Sequence, residues 1–442
     1  MGTLIASSLI DLLDLSATTD PWKLALDFLI KQQKIDPYRV ESLIAPLKAS
    51  TPSKEEFLTA AAFLSLNETL KYELKGDLIA LCDGVDPAIR ELIFTLLGHS
   101  SHTPYKVSSP SDLLYFGLAA LFQNSTEKKR TFLQKVGEIN QFLDRKGNPF
   151  FGLMSDEKHF CLATLLAIFF LIFSLAKEFS NKKEFETIAN HLYHRLGLLE
   201  GYFLDAIPSH LLLLSLLLER CESGEKSSYP IPFARGFSRN LALWHEQLNK
   251  IDFTCQFSGV GSSFAAASKG NVEIVAMAPQ KLPLGVMENF GLFRLPPNDA
   301  GEFSDLKYEE DFLEGWIKLC QYGTDHPEPG KDWIYTEVKT KPDYLTFTFT
   351  PQKPEVDYYI VFFIKAKEAK VEGRPSLKPK CLERLRGEVG EIFFKDADEV
   401  LSLRTKEPTK IEVIPLAGGN HFWSAHFLVA FPINESLSIE IS

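Results

Sequence analysis

The chain has 442 residues, 45% of them hydrophobic and 24% charged, with 35 Phe and a formal net charge of -11. That composition excludes a disordered or fibrous chain, and the length exceeds what one ordinary core serves, so two domains are expected. The acidic balance argues against a nucleic-acid partner, which would be held by Lys and Arg neutralising phosphates.

The first stretch, MGTLIASSLIDLLDL, carries Asp11 and Asp14 inside its apolar run and has no basic leader. It is expected to be a helix rather than a secretion signal, with the cytoplasm as the default location. Ala6 stands where N-myristoylation of Gly2 would need Ser or Thr. From Thr3 to about Cys221, apolar residues recur three and four apart, the spacing of one helix face. Asp20-Pro21, Asp36-Pro37 and Asp86-Pro87 each set a capping carboxylate before a proline that has no N–H to satisfy. Ser53 with Glu56 reads as a capping box, and Ser111 and Thr126 open further helices. With those around residues 160, 190 and 211, the expectation is about ten or eleven helices joined by short turns. Helices in that number pack as a bundle or as a toroid of helical hairpins; no fixed-period repeat selects an open solenoid.

Phe160 to Ala176, FCLATLLAIFFLIFSLA, contains no charge. At about 1.5 Å per residue it spans about 25 Å, short of the roughly 30 Å hydrocarbon core of a bilayer. Charged residues flank it closely, from Asp156 to Lys158 before and at Lys177 and Glu178 after. A single crossing would divide one helical domain across a membrane, so the expectation is a helix buried on all sides and no transmembrane segment.

Residues 222–236, ESGEKSSYPIPFARG, replace the apolar pattern with Gly, Ser and Pro and form the expected linker between a helical domain, 1–221, and a second domain, 237–442. Beyond the linker the period becomes two. Leu345, Phe347 and Phe349 alternate with Thr346, Thr348 and Thr350, as in a strand buried on one face. Val356 to Ala366 is apolar on both faces and is expected at the centre of the sheet. Similar runs separated by Gly, Pro, Asn and Asp give about ten to thirteen strands without intervening helices, a large antiparallel β-sandwich. The fold class is therefore α+β multidomain, helices first and sheet second.

Six cysteines are scattered singly, with no Cys/His spacing that would hold zinc, so no metal and no cofactor are expected. Asn190, His191, Tyr193, His194 and Arg195 form the densest polar cluster of the helical half and offer a base, an acid and a cation. On a helix whose buried stripe is Phe185, Ile188, Leu192, Leu196 and Leu199, His194 faces away from the stripe. Asn190 and Tyr193 fall on one flank and His191 and Arg195 on the other, so the five cannot all converge on one small site. The loop Phe142 to Ser155 sets Asn148 beside Phe150 and Phe151, a possible sugar-stacking rim or a helix cap at Gly147. Near the end, His421 and Trp423 share one strand face after a glycine pair, a ledge for a ligand or a core edge. Gly259-Val260-Gly261 lies between strands and reads as a hairpin turn; Glu309-Glu310-Asp311 point apart and make no glycosidase pair.

This order, about two hundred helical residues followed by a large antiparallel sandwich, resembles the polysaccharide lyases built from a helical toroid and a β-sandwich. That resemblance implies a β-elimination driven by a Tyr or His base, with Asn, His or Arg neutralising the uronic carboxylate, and Asn190, His191, Tyr193 and Arg195 are of those residue types. The stretches VEIVAMAPQKLPLG and EVIPLAGGNHFW also resemble uncharacterised chlamydia-type proteins. The expected function is recognition of a polysaccharide between the helical domain and the sandwich, with elimination as the reaction if the chain is an enzyme. The alternative is a non-enzymatic interaction or scaffold protein with a protein partner.

Overall fold

In the computed structural model, the described residues are 9–13, 15, 18–31, 42–45, 47, 53–82, 85–99, 107, 110–150, 162–199, 201–221, 226, 236–238, 243–256, 263–280, 306–320, 329–416 and 425–442. The chain divides into two units, Met1–Ile139 with Ala163–Pro232, and Asn140–Leu162 with Phe233–Ser442.

The described helices of the first unit are α1 (Pro21–Ile30), α2 (Lys54–Ser65), α3 (Glu68–Leu81), α4 (Pro87–Leu96), α5 (Pro110–Phe122), α6 (Thr126–Ile139), α7 (Leu162–Phe179), α8 (Lys183–Gly197), α9 (Gly201–Leu204) and α10 (Ser209–Arg220). Asp20 caps α1 by accepting from the backbone N–H groups of Trp22 and Lys23, and Asp86 caps α4 by accepting from Ala88. The box at Ser53 and Glu56 is closed in both directions. Asp36-Pro37 lies outside the described residues. Two starts differ from the expected ones: α5 begins at Pro110, ahead of Ser111, and the hydroxyl that accepts from the first turn of α6 is that of Ser125. Proline needs no partner at a helix start, and Ser125 holds the N–H of Lys128 at 3.3 Å.

Helix α7 is long and apolar enough to cross a membrane. Every residue from Leu162 to Ala176 is buried, and exposure returns only at Lys177 and Glu178. An all-round apolar helix needs such a setting, since one polar-facing side would leave large side chains in water. Phe173 packs against Phe185 of α8 with ring centroids 6.1 Å apart.

The second unit carries fifteen described strands in one antiparallel sheet: β1 (Gly236–Ser238), β2 (Leu243–Gln247), β3 (Asp252–Gln256), β4 (Ala265–Lys269), β5 (Val272–Gln280), β6 (Lys307–Glu309), β7 (Phe312–Cys320), β8 (Pro329–Thr340), β9 (Leu345–Pro351), β10 (Tyr358–Lys365), β11 (Glu368–Val371), β12 (Leu385–Asp396), β13 (Glu399–Pro415), β14 (Phe427–Ile433) and β15 (Leu437–Ile441). The main path runs β1-β2-β3-β4-β5-β10-β14-β13-β15-β9-β8-β7-β6, with β12 paired to β13 and β11 to β12. Its two end strands meet: the Phe237 ring of β1 stacks on Tyr308 of β6 at 4.6 Å. The sheet thus curls until it is nearly barrel-like.

Strand β10 is the expected central strand. It pairs with β5 on one side and β14 on the other. Ile360, Phe362 and Ile364 enter the main core with Phe264, Phe347 and Phe431, while Val361 and Phe363 enter a second cluster with Ile414 and Leu428. A strand buried on both faces must be apolar on both, which is why VDYYIVFFIKA lacks alternation.

Residues 140–150 leave the helices and pack on the sheet. Leu143 and Pro149 form a bridge, Gly147 turns the chain at φ +83°, and Phe150 is buried. Gly147 is therefore the turn of a small hairpin and not a helix cap; α6 has already ended at Ile139.

Candidate functional site

A groove of about 1210 Å³ opens on the sheet unit, lined by residues of β10, β12, β13 and the β14–β15 connection. Its floor is set by register. Arg386 on β12 lies opposite Glu412 on β13, and Glu388 opposite Lys410. Directly opposed side chains share a face, so charges of opposite sign come together there. Glu412 is only 5% exposed. Arg386 donates to its Oε1 from Nε at 2.8 Å and from Nη2 at 2.6 Å. A carboxylate so far from water is sustained by such charge-assisted bonds.

The groove's rim is a bulge. Between Val389↔Thr409 and Glu391↔Arg404 the register shifts, so Thr405, Lys406, Glu407 and Pro408 stand against Gly390 alone. Lys406, Glu407 and Pro408 leave the β12 ladder and are exposed, while Thr405 stays buried opposite Ile439 of β15 and its Oγ1 donates to the Glu407 carbonyl at 2.8 Å. At Gly387 φ is +146°, and a Cβ there would lie 2.7 Å from Nη2 of Arg374, so glycine keeps the wall thin.

The lining carries four carboxylates, Asp357, Glu388, Glu407 and Glu412, against three cations, Arg386, Lys406 and Lys410. Tyr359, Thr409, Asn434, Ser436 and Ser438 add neutral donors and acceptors. Burial, then the nearby charges of Asp357 and Glu412, push the Tyr359 phenol up, so it stays a protonated donor. The arrangement suits a hydroxylated, weakly charged ligand, because neutral donors and acceptors stand among charges that nearly balance, with one carboxylate in excess.

The residues expected from the sequence are placed as follows. On α8, Asn190 and His194 are exposed, and His191, Tyr193 and Arg195 are half-buried. The buried stripe is Phe185, Ala189, Leu192 and Leu196, and the Tyr193 ring lies 5.6 Å from that of Phe170. Asn148 turns inward to its own loop: its backbone N–H and its Nδ2 donate to the two oxygens of Asp144 at 2.8 and 2.7 Å. His421 and Trp423 lie outside the described residues, as does Gly259-Val260-Gly261. Glu310 and Asp311 form the exposed β6–β7 turn.

Sequence reasoning missed the groove. Arg386, Glu412 and Tyr359 occupy ordinary polar positions of strands, and only the interruption KEPTK at Lys406–Lys410 signals the bulge. It also missed Tyr115 and His210, a pair with Oη 3.4 Å from Nε2. Both are buried, and burial lowers the His210 pKa to about 3, so the pair is a neutral core contact closed to substrate. Among the described residues no three His, Cys, Asp or Glu side chains gather as a metal site would need.

Helices in the N-terminal half and one large antiparallel sheet in the C-terminal half define an α+β protein. A solved structure of Paenibacillus xanthan lyase is similar in fold, with a TM-score of 0.52 at 9% identity over 99% of this chain and 54% of that one. The chain thus spans about half the length of that lyase, and the architectural resemblance to polysaccharide lyases is met at the level of fold. A 4-α-glucanotransferase from Thermococcus litoralis aligns over 37% of this chain and 26% of its own at 13% identity, with a TM-score of 0.24. A glycosyl hydrolase of family GH92 aligns over 47% of this chain and 30% of its own at 9% identity, also at 0.24. No protein family matches the sequence, and no curated protein does.

Proposed function

We propose that this protein recognises a carbohydrate polymer, and that the groove on its sheet unit is where sugar binds. One observation carries the reading: an open groove of about 1210 Å³ in which a protonated Tyr359, the Arg386–Glu412 pair and the hydroxyls of Thr409, Ser436 and Ser438 face one ligand space. Sugars present many hydroxyls in fixed positions, and such a mixed lining matches them better than it matches an apolar peptide or a polyanion. The fold likeness to xanthan lyase supports a carbohydrate ligand by analogy. In its finer form the reading takes the curled sheet as the sandwich and the helices as the toroid of such lyases. It then takes His191, Tyr193 or His194 as base and Asn190 or Arg195 as carboxylate partner in a β-elimination.

Affinity electrophoresis of the full chain tests the recognition step. Migration through gels containing xanthan, glucomannan, xylan or polygalacturonate is expected to be retarded by at least one polymer, and Tyr359→Ala is expected to relieve the retardation. Unchanged migration in every polymer would overturn the reading.

A further inference from the structure

A second feature of the sheet unit extends the groove. On β7, Trp316 is 40% exposed, an unusual state for the largest apolar side chain. It lies directly opposite Tyr335 of β8, and the two rings meet edge to face with centroids 5.2 Å apart. Tyr335 is in turn opposite Thr350 of β9, whose hydroxyl donates to Ser436 at 3.3 Å. One row below, Thr348 donates to Ser438 at 3.1 Å. Ser436 and Ser438 both line the groove. Strand neighbours lie about 4.8 Å apart, so the row from Trp316 to Ser436 covers about 14 Å of sheet surface.

We infer that Trp316 and Tyr335 form a sugar-stacking platform that continues the groove and takes an uncharged pyranose of the bound glycan. This rests on the recognition reading and not on the elimination. The C–H edge of a pyranose is weakly positive and lies well on the electron-rich face of an aromatic ring, while the threonine and serine hydroxyls along the row meet the sugar's own. Charge selects an uncharged sugar. Glu314 is held by Lys307 at 2.7 Å and accepts from the Tyr335 hydroxyl, and Glu337 is held by Lys339 at 3.1 Å. Among the described residues the charged side chains beside the rings are matched to one another, so they offer a uronate no surplus cation and cost it hydration. Burial and the Glu314 acceptor raise the Tyr335 pKa, which keeps its hydroxyl protonated.

Titration calorimetry of the full chain with cellohexaose, mannohexaose, xylohexaose and hexagalacturonate, and with the matching trisaccharides, tests the platform. At least one uncharged hexamer is expected to bind more tightly than its trimer. Trp316→Ala is expected to weaken the hexamer about tenfold and to remove the advantage of length, with Trp316→Phe restoring most of it. Hexamer binding unchanged in Trp316→Ala would overturn the platform and leave the groove standing. Tighter binding of hexagalacturonate than of every uncharged hexamer would overturn the choice of sugar. No binding by any of these sugars would overturn the platform, and retardation by a polymer in the gels would then still uphold the recognition reading.

Discussion

Arg145 forks onto Asp252 across 107 positions of sequence, with the backbone N–H 2.7 Å from Oδ2, Nε 2.9 Å from Oδ1 and Nη2 2.8 Å from Oδ1. The same guanidinium holds the carbonyls of Leu248 and Asn249 at 2.6 and 3.0 Å. Asp252 is buried at the start of β3, and Asp144 beside it accepts from Ser268 at 3.3 Å. This fork pins the hairpin of residues 140–150 to the sheet.

Arg145→Ala leaves a buried carboxylate with one backbone donor. Because Arg145 is itself partly exposed, the cost is expected at about 1–3 kcal/mol rather than the larger loss of a fully buried pair. Arg145→Lys cannot fork and should fall between. Thermal melts of the three proteins check the order, and equal melting temperatures would contradict it.

Acid is expected to destabilise the helical unit through His210. Its pKa is about 6.5 in the unfolded chain and about 3 when folded, so between those values the unfolded state binds the extra proton. The stability associated with the neutral ring is intact above pH 6.5 and falls by about 1.4 kcal/mol per pH unit as acid is added through that window. Melting followed by helix circular dichroism from about pH 7.5 down to about pH 4 reads this, and His210→Phe should flatten the slope.

Gly117 permits the close approach of α5 and α6: a Cβ there would lie 2.4 Å from Cε2 of Phe132. Gly117→Ala is expected to cost about 1–3 kcal/mol by overpacking, despite alanine's better helix propensity. Denaturant unfolding measures it, and the double variant Gly117→Ala with Phe132→Leu should recover part of the loss.

If elimination occurs, incubation with uronate polymers yields unsaturated products that absorb in the near ultraviolet. One of His191→Ala, Tyr193→Phe and His194→Ala, the one that removes the base, then loses that signal while polymer retardation in gels persists. Absence of unsaturated product across a broad panel would remove the lytic form of the reading and leave recognition untouched.

The helices were legible because their signals are local. Asp20, Asp86 and the Ser53–Glu56 box act within one turn of chain, and the charge-free run of α7 states its own burial. The β9 alternation was equally local. The groove was not legible, because it arises where β10, β12, β13 and the β14–β15 connection meet, and strand order is set by non-local packing that no short window contains. The same holds for residues 140–150, which sit between two helices in sequence and pack with the sheet through Asp252.

Hydrogen–deuterium exchange of the full chain, with and without the polymer that retards it most, tests the central claim most directly. The account expects slowed exchange in β10, β12, β13 and the β14–β15 connection around Tyr359, Arg386 and Glu412. Protection confined to residues 183–197 of the helical unit, or none on the sheet at saturating polymer, would contradict it.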